Sequence, residues 1–415
     1  MEEGKKIKTA GRLEGQKRLG KLIAEHYGGA HEARKEKRHL IAWCNVAAPA
    51  EILWTFDFIC LFPEAYAATC GARHAATHHC EITEAHGYEN HLCTYTRNGI
   101  GSVLAEMEHK EPFQPLAHPD LIVGSTSYCI VMQKWIEALG ELFKVPVINI
   151  DIPFIAPGIE KREVVDYTKG QLLDFISYLE RFTGRKFDWD KFNEIVAQGQ
   201  RTSTGYQKLL DMTKADPAPA SYFDLMAHNF PNIVLRYKPE AEEHYKLLNA
   251  EIEQRIADGV EAFEGMKHRI YWDGVPFWFG MGSQSQKLME LGMCLITSAY
   301  STVFSYSQLD ALRPLESEAE LVSLIYLNRN ITYKTEYTKR LYREFKLDGG
   351  IYAYALCCKP FSITMRPIMD AVTRDLGVPN IIVEGDLVDH RYYSEEAAFA
   401  RLDTFAEELE ARKKT

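Results

Sequence analysis

The chain has 415 residues, 46% of them hydrophobic and 26% charged, with a formal net charge of -10. That length allows two or three domains with sizeable cores, and the composition excludes disordered, collagen-like and disulfide-scaffold classes. The acidic balance also excludes a general nucleic-acid binder, because phosphate affinity comes from clustered Lys and Arg.

Residues 1–38 hold eleven Lys or Arg against six Glu, so this arm carries +5 and the rest of the chain -15. It reads as a basic, amphipathic helical arm with a solvated face. The most apolar stretch, 41–62, is interrupted by Asn45, Pro49, Glu51 and Asp57, and the N-terminus is polar. No membrane span or secretory signal is expected, and the protein reads as cytoplasmic. Within that stretch 40–47 is expected to be a strand and 49–58 a helix. Residues 65–95 gather His74, His78, His79 and His86 with Cys70, Cys80 and Cys93, while Gly71 and Gly87 break any long helix. No CxxC pair accompanies them, and zinc is not expected.

A rhythm then sets in. Residues 120–124 read as a buried strand, 125–129 as a turn, 130–143 as a helix and 145–150 as a second strand, which makes a βαβ unit. The C-terminal region repeats the plan with a strand at 350–355, a turn at 356–359, a helix at 363–376 and a strand at 378–383. A third unit precedes it, with strands at 269–272 and 293–297 around a helix at 284–291. Between these regions 166–182 and 239–263 look helical, the latter with Tyr245, Leu248, Ile252 and Ile256 at spacings of three and four. The expected architecture is α/β: the arm, a Rossmann-like lobe over 39–160, a helical linking region over 161–265, and a second Rossmann-like lobe over 266–415. Parallel sheets of this kind bind ligands beyond the carboxyl ends of their strands, in a cleft.

The nine cysteines, at 44, 60, 70, 80, 93, 129, 294, 357 and 358, suit reduced thiols rather than a disulfide framework. Cys129 and Cys358 each stand where a turn enters a helix. Cys93 lies in Leu92-Cys93-Thr94-Tyr95-Thr96-Arg97, before a glycine-rich bend. Free N–H groups and the helix dipole favour a thiolate at a helix start. Three such thiolates converging would hold iron, although spacing alone more readily fits cysteines packed in cores. Cys60 and Cys294, on apolar strands, read as core; Cys44, Cys70 and Cys80 stay unassigned.

Several separated motifs now add up. Pro63-Glu64-Ala65-Tyr66-Ala67-Ala68, Cys70-Gly71-Ala72-Arg73, Gly87-Tyr88 and the run around Cys93 come first. Cys129 with Lys134-Trp135-Ile136-Glu137, Asp151-Ile152-Pro153-Phe154, Cys358-Lys359-Pro360-Phe361-Ser362 and Glu384-Gly385-Asp386-Leu387-Val388-Asp389 follow, the last trailed by Arg391, Tyr392 and Ser394. In order and spacing this resembles the 2-hydroxyacyl-CoA dehydratase and benzoyl-CoA reductase family over about 43–405.

The resemblance implies a [4Fe-4S] cluster on three cysteines, matched here by Cys93, Cys129 and Cys358. Relatives carry one cysteine at the third position, and matching backward from Lys359 selects Cys358 over Cys357. Three ligands leave one iron corner open. It also implies pairing with a homologous second subunit, and an ATP-hydrolysing iron-sulfur activator that injects single electrons into an acyl-CoA enzyme. A further branch joins two cubanes through a sulfide in a homodimer and reduces small molecules. In the family's dehydratases a serine and a glutamate help place the hydroxyl at the open iron; the matched positions are Val46 and Glu64. Glu64 is then the catalytic candidate, and the missing serine hydroxyl tilts the expectation toward an ATP-dependent, low-potential reductase over a 2-hydroxyacyl-CoA dehydratase. Arg73 and Arg97 are candidates for holding a carboxylate or phosphate, or for offsetting cluster charge. The contrasting class is a non-catalytic two-lobed binding protein with inert cysteines.

Lifting one electron by about 300 mV, from ordinary ferredoxin potentials toward about -700 mV, costs on the order of 7 kcal/mol, within reach of ATP hydrolysis. No Walker A pattern occurs in this sequence. The isolated chain is therefore expected to show no stoichiometric ATP turnover in a phosphate-release assay; sustained turnover would overturn that division of labour.

Overall fold

The computed structural model of the protein describes residues 7–109 and 114–413; the first six residues of the basic arm lie outside them. Two four-stranded parallel sheets organise the chain. The first comprises β1 (Ile41–Cys44), β2 (Ile59–Leu61), β3 (Leu121–Ser125) and β4 (Val147–Ile150), in the order β2-β1-β3-β4. The second comprises β5 (His268–Asp273), β6 (Met293–Ser298), β7 (Gly349–Ala355) and β8 (Asn380–Gly385), in the matching order β6-β5-β7-β8. The inner strands are buried along their length apart from Tyr354, as parallel strands covered on both faces must be. This is the expected α/β fold of two lobes. In each sheet the connections depart in opposite directions between the first and third strands, which opens a crevice at their carboxyl ends.

The arm's helix, Gly15–Glu36, buries Leu19, Leu22, His26, Ala30 and Ala33 at helical spacing, and His26 Nε2 lies 3.1 Å from the Cys60 carbonyl oxygen. One face is therefore docked while most of the basic side chains look outward. In sequence between the two sheets come the helices Lys161–Thr183, Trp189–Met212 and Pro239–Ala257. The last stops six residues short of the sequence expectation, because Asp258 is followed by Gly259 at φ +64°. Trp189–Met212, absent from the expected elements, opens on Asp188, whose side chain accepts the Lys191 N–H.

Two corrections concern the site directly. The stretch expected to bend at Gly99 and Gly101 is the interior of the helix Thr94–Met107. A Cβ at Gly99 would strike the Trp135 ring and one at Gly101 the His79 carbonyl, so these glycines serve close packing rather than a turn. The helix expected from 363 starts at Lys359, with Pro360 in its first turn. Proline lacks the N–H that a first turn leaves unpaired anyway, so it begins a helix as readily as it makes a turn.

A buried triad joins the first lobe to the helical region. Arg236 pairs with Glu51 through two nitrogens, Nη2–Oε2 at 2.6 Å, and lies over the Trp54 and Tyr306 rings. Beside it Glu318 is fully buried against Glu51, and burial followed by the Glu51 charge pushes its carboxyl far up. The set is held as one cation, one anion and one neutral acid. Replacing Arg236 by Met strands the Glu51 charge and is expected to cost about 3–5 kcal/mol. A urea denaturation series reads this directly, and a loss below about 1 kcal/mol, the level of a surface pair, would contradict the assignment.

Candidate functional site

Three helices begin on a cysteine. Cys93 is the N-cap of Thr94–Met107, Cys129 of Ile130–Phe143 and Cys358 of Lys359–Leu376. The last two follow β3 and β7, equivalent strands of the two sheets, so the repeated topology sets them at corresponding crevice edges. The Cys129 sulfur accepts the backbone N–H groups of Val131 and Met132, and the Cys358 sulfur accepts that of Phe361. These are the orphan amides of a first turn, aimed at sulfur.

The thiols meet across the lobes. Cys357 is hydrogen-bonded to Cys93 and lies 3.5 Å from Thr94 Oγ1, while Cys358 stands near enough to Cys129 for their charges to interact. Burial pushes the Cys129 and Cys358 thiols up; the neighbouring Cys93 thiol, and then burial, does the same to Cys357. Four thiols are thus gathered, and Cys357 is closer to the set than matching from Lys359 implies. Among the described residues no three His, Cys, Asp or Glu are spaced to hold a single metal ion. A single ion draws its ligands into mutual contact, whereas the ligands of a four-iron cage each hold a different iron and stand farther apart. Thiols at helix starts are the type of ligand an iron-sulfur cage takes. The remaining cysteines are buried free thiols, Cys294 at 1% exposure among them.

Glu64 follows β2 in the first turn of the helix Pro63–Ala72 and is 5% exposed. Its Oε1 accepts the Val46 N–H at 3.2 Å, while Oε2 is buried without a hydrogen-bond partner. Burial pushes the carboxyl up to about 7, against the pull of the Glu64 and Val46 amides. Glu64 lines a cavity of about 240 Å³ with Val46, Tyr95, Tyr128, Trp278, Tyr300 and others, mostly hydrocarbon and aromatic. Val46, Tyr128, Tyr300 and Phe304 also line an adjoining apolar space of about 40 Å³ that reaches Phe361, in the Cys358 helix. These walls thus include Tyr128, the neighbour of Cys129, and Phe361, three residues beyond Cys358.

Arg97 is not free to hold a ligand. It is 1% exposed and pairs with Glu84 and, at 3.2 Å, with Asp389 from the segment after β8; Arg391 pairs with both carboxylates at 2.6 Å. Thr77 Oγ1 adds a 3.3 Å bond to Asp389. Asp386, three residues earlier, hydrogen-bonds Thr94 and Cys357. Arg73 is exposed and contributes to the cavity lining. Tyr300 escaped sequence reasoning, although its place just past β6 was a signal. Tyr128, adjacent to Cys129, was equally within reach.

The family model for the D-component of 2-hydroxyglutaryl-CoA dehydratase matches residues 45–409. The lactoyl-CoA dehydratase alpha subunit of Anaerotignum propionicum is 27% identical over 405 residues, covering 94% of this chain and 96% of that one. The (R)-2-hydroxyisocaproyl-CoA dehydratase alpha subunit of Clostridioides difficile is 29% identical over 398 residues, with 95% and 96% covered. One benzoyl-CoA reductase subunit of Thauera aromatica is 27% identical over 376 residues, with 88% and 87% covered. With nearly its whole length matched, from the first crevice to the last helix, this chain belongs to the family of the 2-hydroxyglutaryl-CoA dehydratase D-component.

Proposed function

We propose that the chain is the iron-sulfur catalytic subunit of an ATP-dependent, activator-driven reductase that delivers single electrons to an acyl-CoA or another stable unsaturated substrate. In this reading Cys93, Cys129 and Cys358 ligate a [4Fe-4S] cluster, and Glu64 carries the proton. The observation behind it is the unpartnered Glu64 oxygen in a mostly apolar cavity whose wall includes Tyr128, the neighbour of Cys129. Such a cluster, when bound, supplies low-potential single electrons and an open iron corner.

The chain's own residues do the rest. The Val46 N–H anchors Oε1, which leaves Oε2 to the cavity. A carboxyl titrating near 7 both holds and releases a proton under neutral conditions. The aromatic walls exclude water, which would otherwise compete as proton source. Position 46 offers hydrocarbon where a departing hydroxyl would need a donor, and this favours reduction. A homologous second subunit, or a second copy in the double-cubane arrangement, and a separate ATP-hydrolysing activator complete the system.

Dehydration of an (R)-2-hydroxyacyl-CoA is the second reading. The dehydratase alpha subunits among the relatives favour it, and Glu64 would then give its proton to the departing hydroxyl. Chemically reduced protein offered both substrate types separates the two: a product gaining two hydrogens supports reduction, and one that has lost water supports dehydration.

Two results are expected from variants. Cys129→Ala and Cys358→Ala are expected to lose the visible absorbance and the roughly four irons per chain of a cubane, while Cys294→Ala and Cys357→Ala keep both; equal iron in all four would remove the ligand assignment. For Glu64 the folded value is raised, so its stabilisation is complete below about 4.5 and is lost as pH rises through about 7. Glu64→Gln removes that slope, and the difference between wild type and variant is expected to change by on the order of 3 kcal/mol over this window. Parallel denaturation curves at each pH would show otherwise. The same substitution is expected to lower kcat about 10²–10⁴-fold, as loss of a general acid does.

A further inference from the structure

Lys334 lies in the first turn of the helix Ile331–Glu344 and is 4% exposed. Among the described residues its ammonium donates no hydrogen bond and joins no ion pair; it stands over the Tyr326 ring, 5.2 Å from the centroid. Tyr326 stacks at 6.0 Å on Phe361, whose backbone N–H points at the Cys358 sulfur. The helix packs along Lys359–Leu376, the one that Cys358 caps. Two ionisable groups face the ammonium through space: Asp273 at the carboxyl end of β5, and Cys358.

An ammonium taken out of water without a hydrogen-bonded anion is costly and persists where negative charge compensates it. Asp273 does this only at a distance. Its carboxylate is itself 2% exposed and is engaged by the Tyr271 hydroxyl at 2.8 Å. No arginine or other lysine is resolved as an electrostatic neighbour of either group. A cation and an anion, each nearly sealed and neither closed into a salt bridge, therefore face each other, the cation also facing Cys358, where a cluster would bring charge of its own. Buried charge is one of the levers that set an iron-sulfur potential, because it favours or opposes the added electron at low dielectric.

We propose that Lys334 and Asp273 set the reduction potential of the cluster at Cys358, the ammonium raising it and the carboxylate lowering it. Both are positioning residues, acting through charge without ligating iron. The proposal rests on the cluster reading above, and the experiment separates the two.

Wild type, Lys334→Met, Lys334→Arg and Asp273→Asn are purified anaerobically as full chains. Iron and sulfide are counted first, and one-electron reduction is then titrated by electron paramagnetic resonance at pH 8, above the value of about 6 to which burial raises Asp273. Lys334→Met is expected to make reduction at least tenfold less favourable, a negative shift of about 59 mV. Asp273→Asn is expected to move it in the opposite direction, and Lys334→Arg to stay near wild type. Opposite signs from neighbouring substitutions are what charge produces and what loosened packing does not. Should Lys334→Met fail to fold or to hold iron, the positive shift in Asp273→Asn and the unmoved Lys334→Arg carry the test. A wild type that assembles no iron overturns the cluster reading and this one with it. An intact cluster whose potential does not move, or moves the same way in both charge-removing variants, overturns only the assignment to Lys334 and Asp273.

Discussion

The site depends on a buried ion pair between lobes. Arg97, in the helix that Cys93 caps, is paired with Asp389 from the segment after β8, and Glu84 and Arg391 complete the set. An arginine at 1% exposure cannot lose its counter-anion without leaving a charge in low dielectric. The first turn of Thr94–Met107 is thereby tied to the second lobe. Asp386, in the same segment as Asp389, bonds Thr94 and Cys357. The electrostatic clamp and the meeting of Cys93 with Cys357 are one constraint viewed from two ends. Close packing reinforces it: a Cβ at Gly71 would come within 2.7 Å of Val388, and the Trp278 indole donates to the Tyr95 hydroxyl at 2.5 Å.

What the clamp holds together is an arrangement of helix starts. Two sheets with the same strand order place Cys129 and Cys358 at equivalent edges, and Cys93 enters from a helix packed against the Cys129 helix through Gly99 and Trp135. The Cys129 and Cys358 helices offer the positive end of their dipoles and unpaired amides to sulfur. Without a cluster the buried thiols are pushed up and remain neutral. The fold thus keeps neutral thiols at the Cys129 and Cys358 helix starts.

Much of this was legible in the residues. Every strand of the second sheet shows as a short apolar run, and the Cys129 helix is bounded by residues 130–143 on pattern alone. The failures have physical causes. Gly99 and Gly101 look like a bend because the partner that demands a missing side chain at Gly99, Trp135, is more than thirty residues away in sequence. Lys359-Pro360 looks like a turn because proline serves both roles. Asp386, Asp389 and Arg97 were visible as motif residues, but their purpose lies in pairing across lobes, which local pattern does not carry. Lys334 gave no signal at all, since a lysine in an amphipathic helix reads as solvent-facing until the fold covers it.

The cavity explains why Glu64 must be where it is. A carboxyl surrounded by hydrocarbon and aromatic side chains, with a single oxygen anchored by the Val46 amide, is a poor structural element, because the second oxygen forfeits its hydrogen bonds. Val46, by contrast, gives up only a hydroxyl, and its backbone N–H still does the anchoring. The side chain at that position is therefore free to tune what the cavity accepts while the carboxyl stays fixed. A carboxyl that burial raises to about 7 is placed to gain or lose a proton where the surrounding wall is mostly hydrocarbon and aromatic.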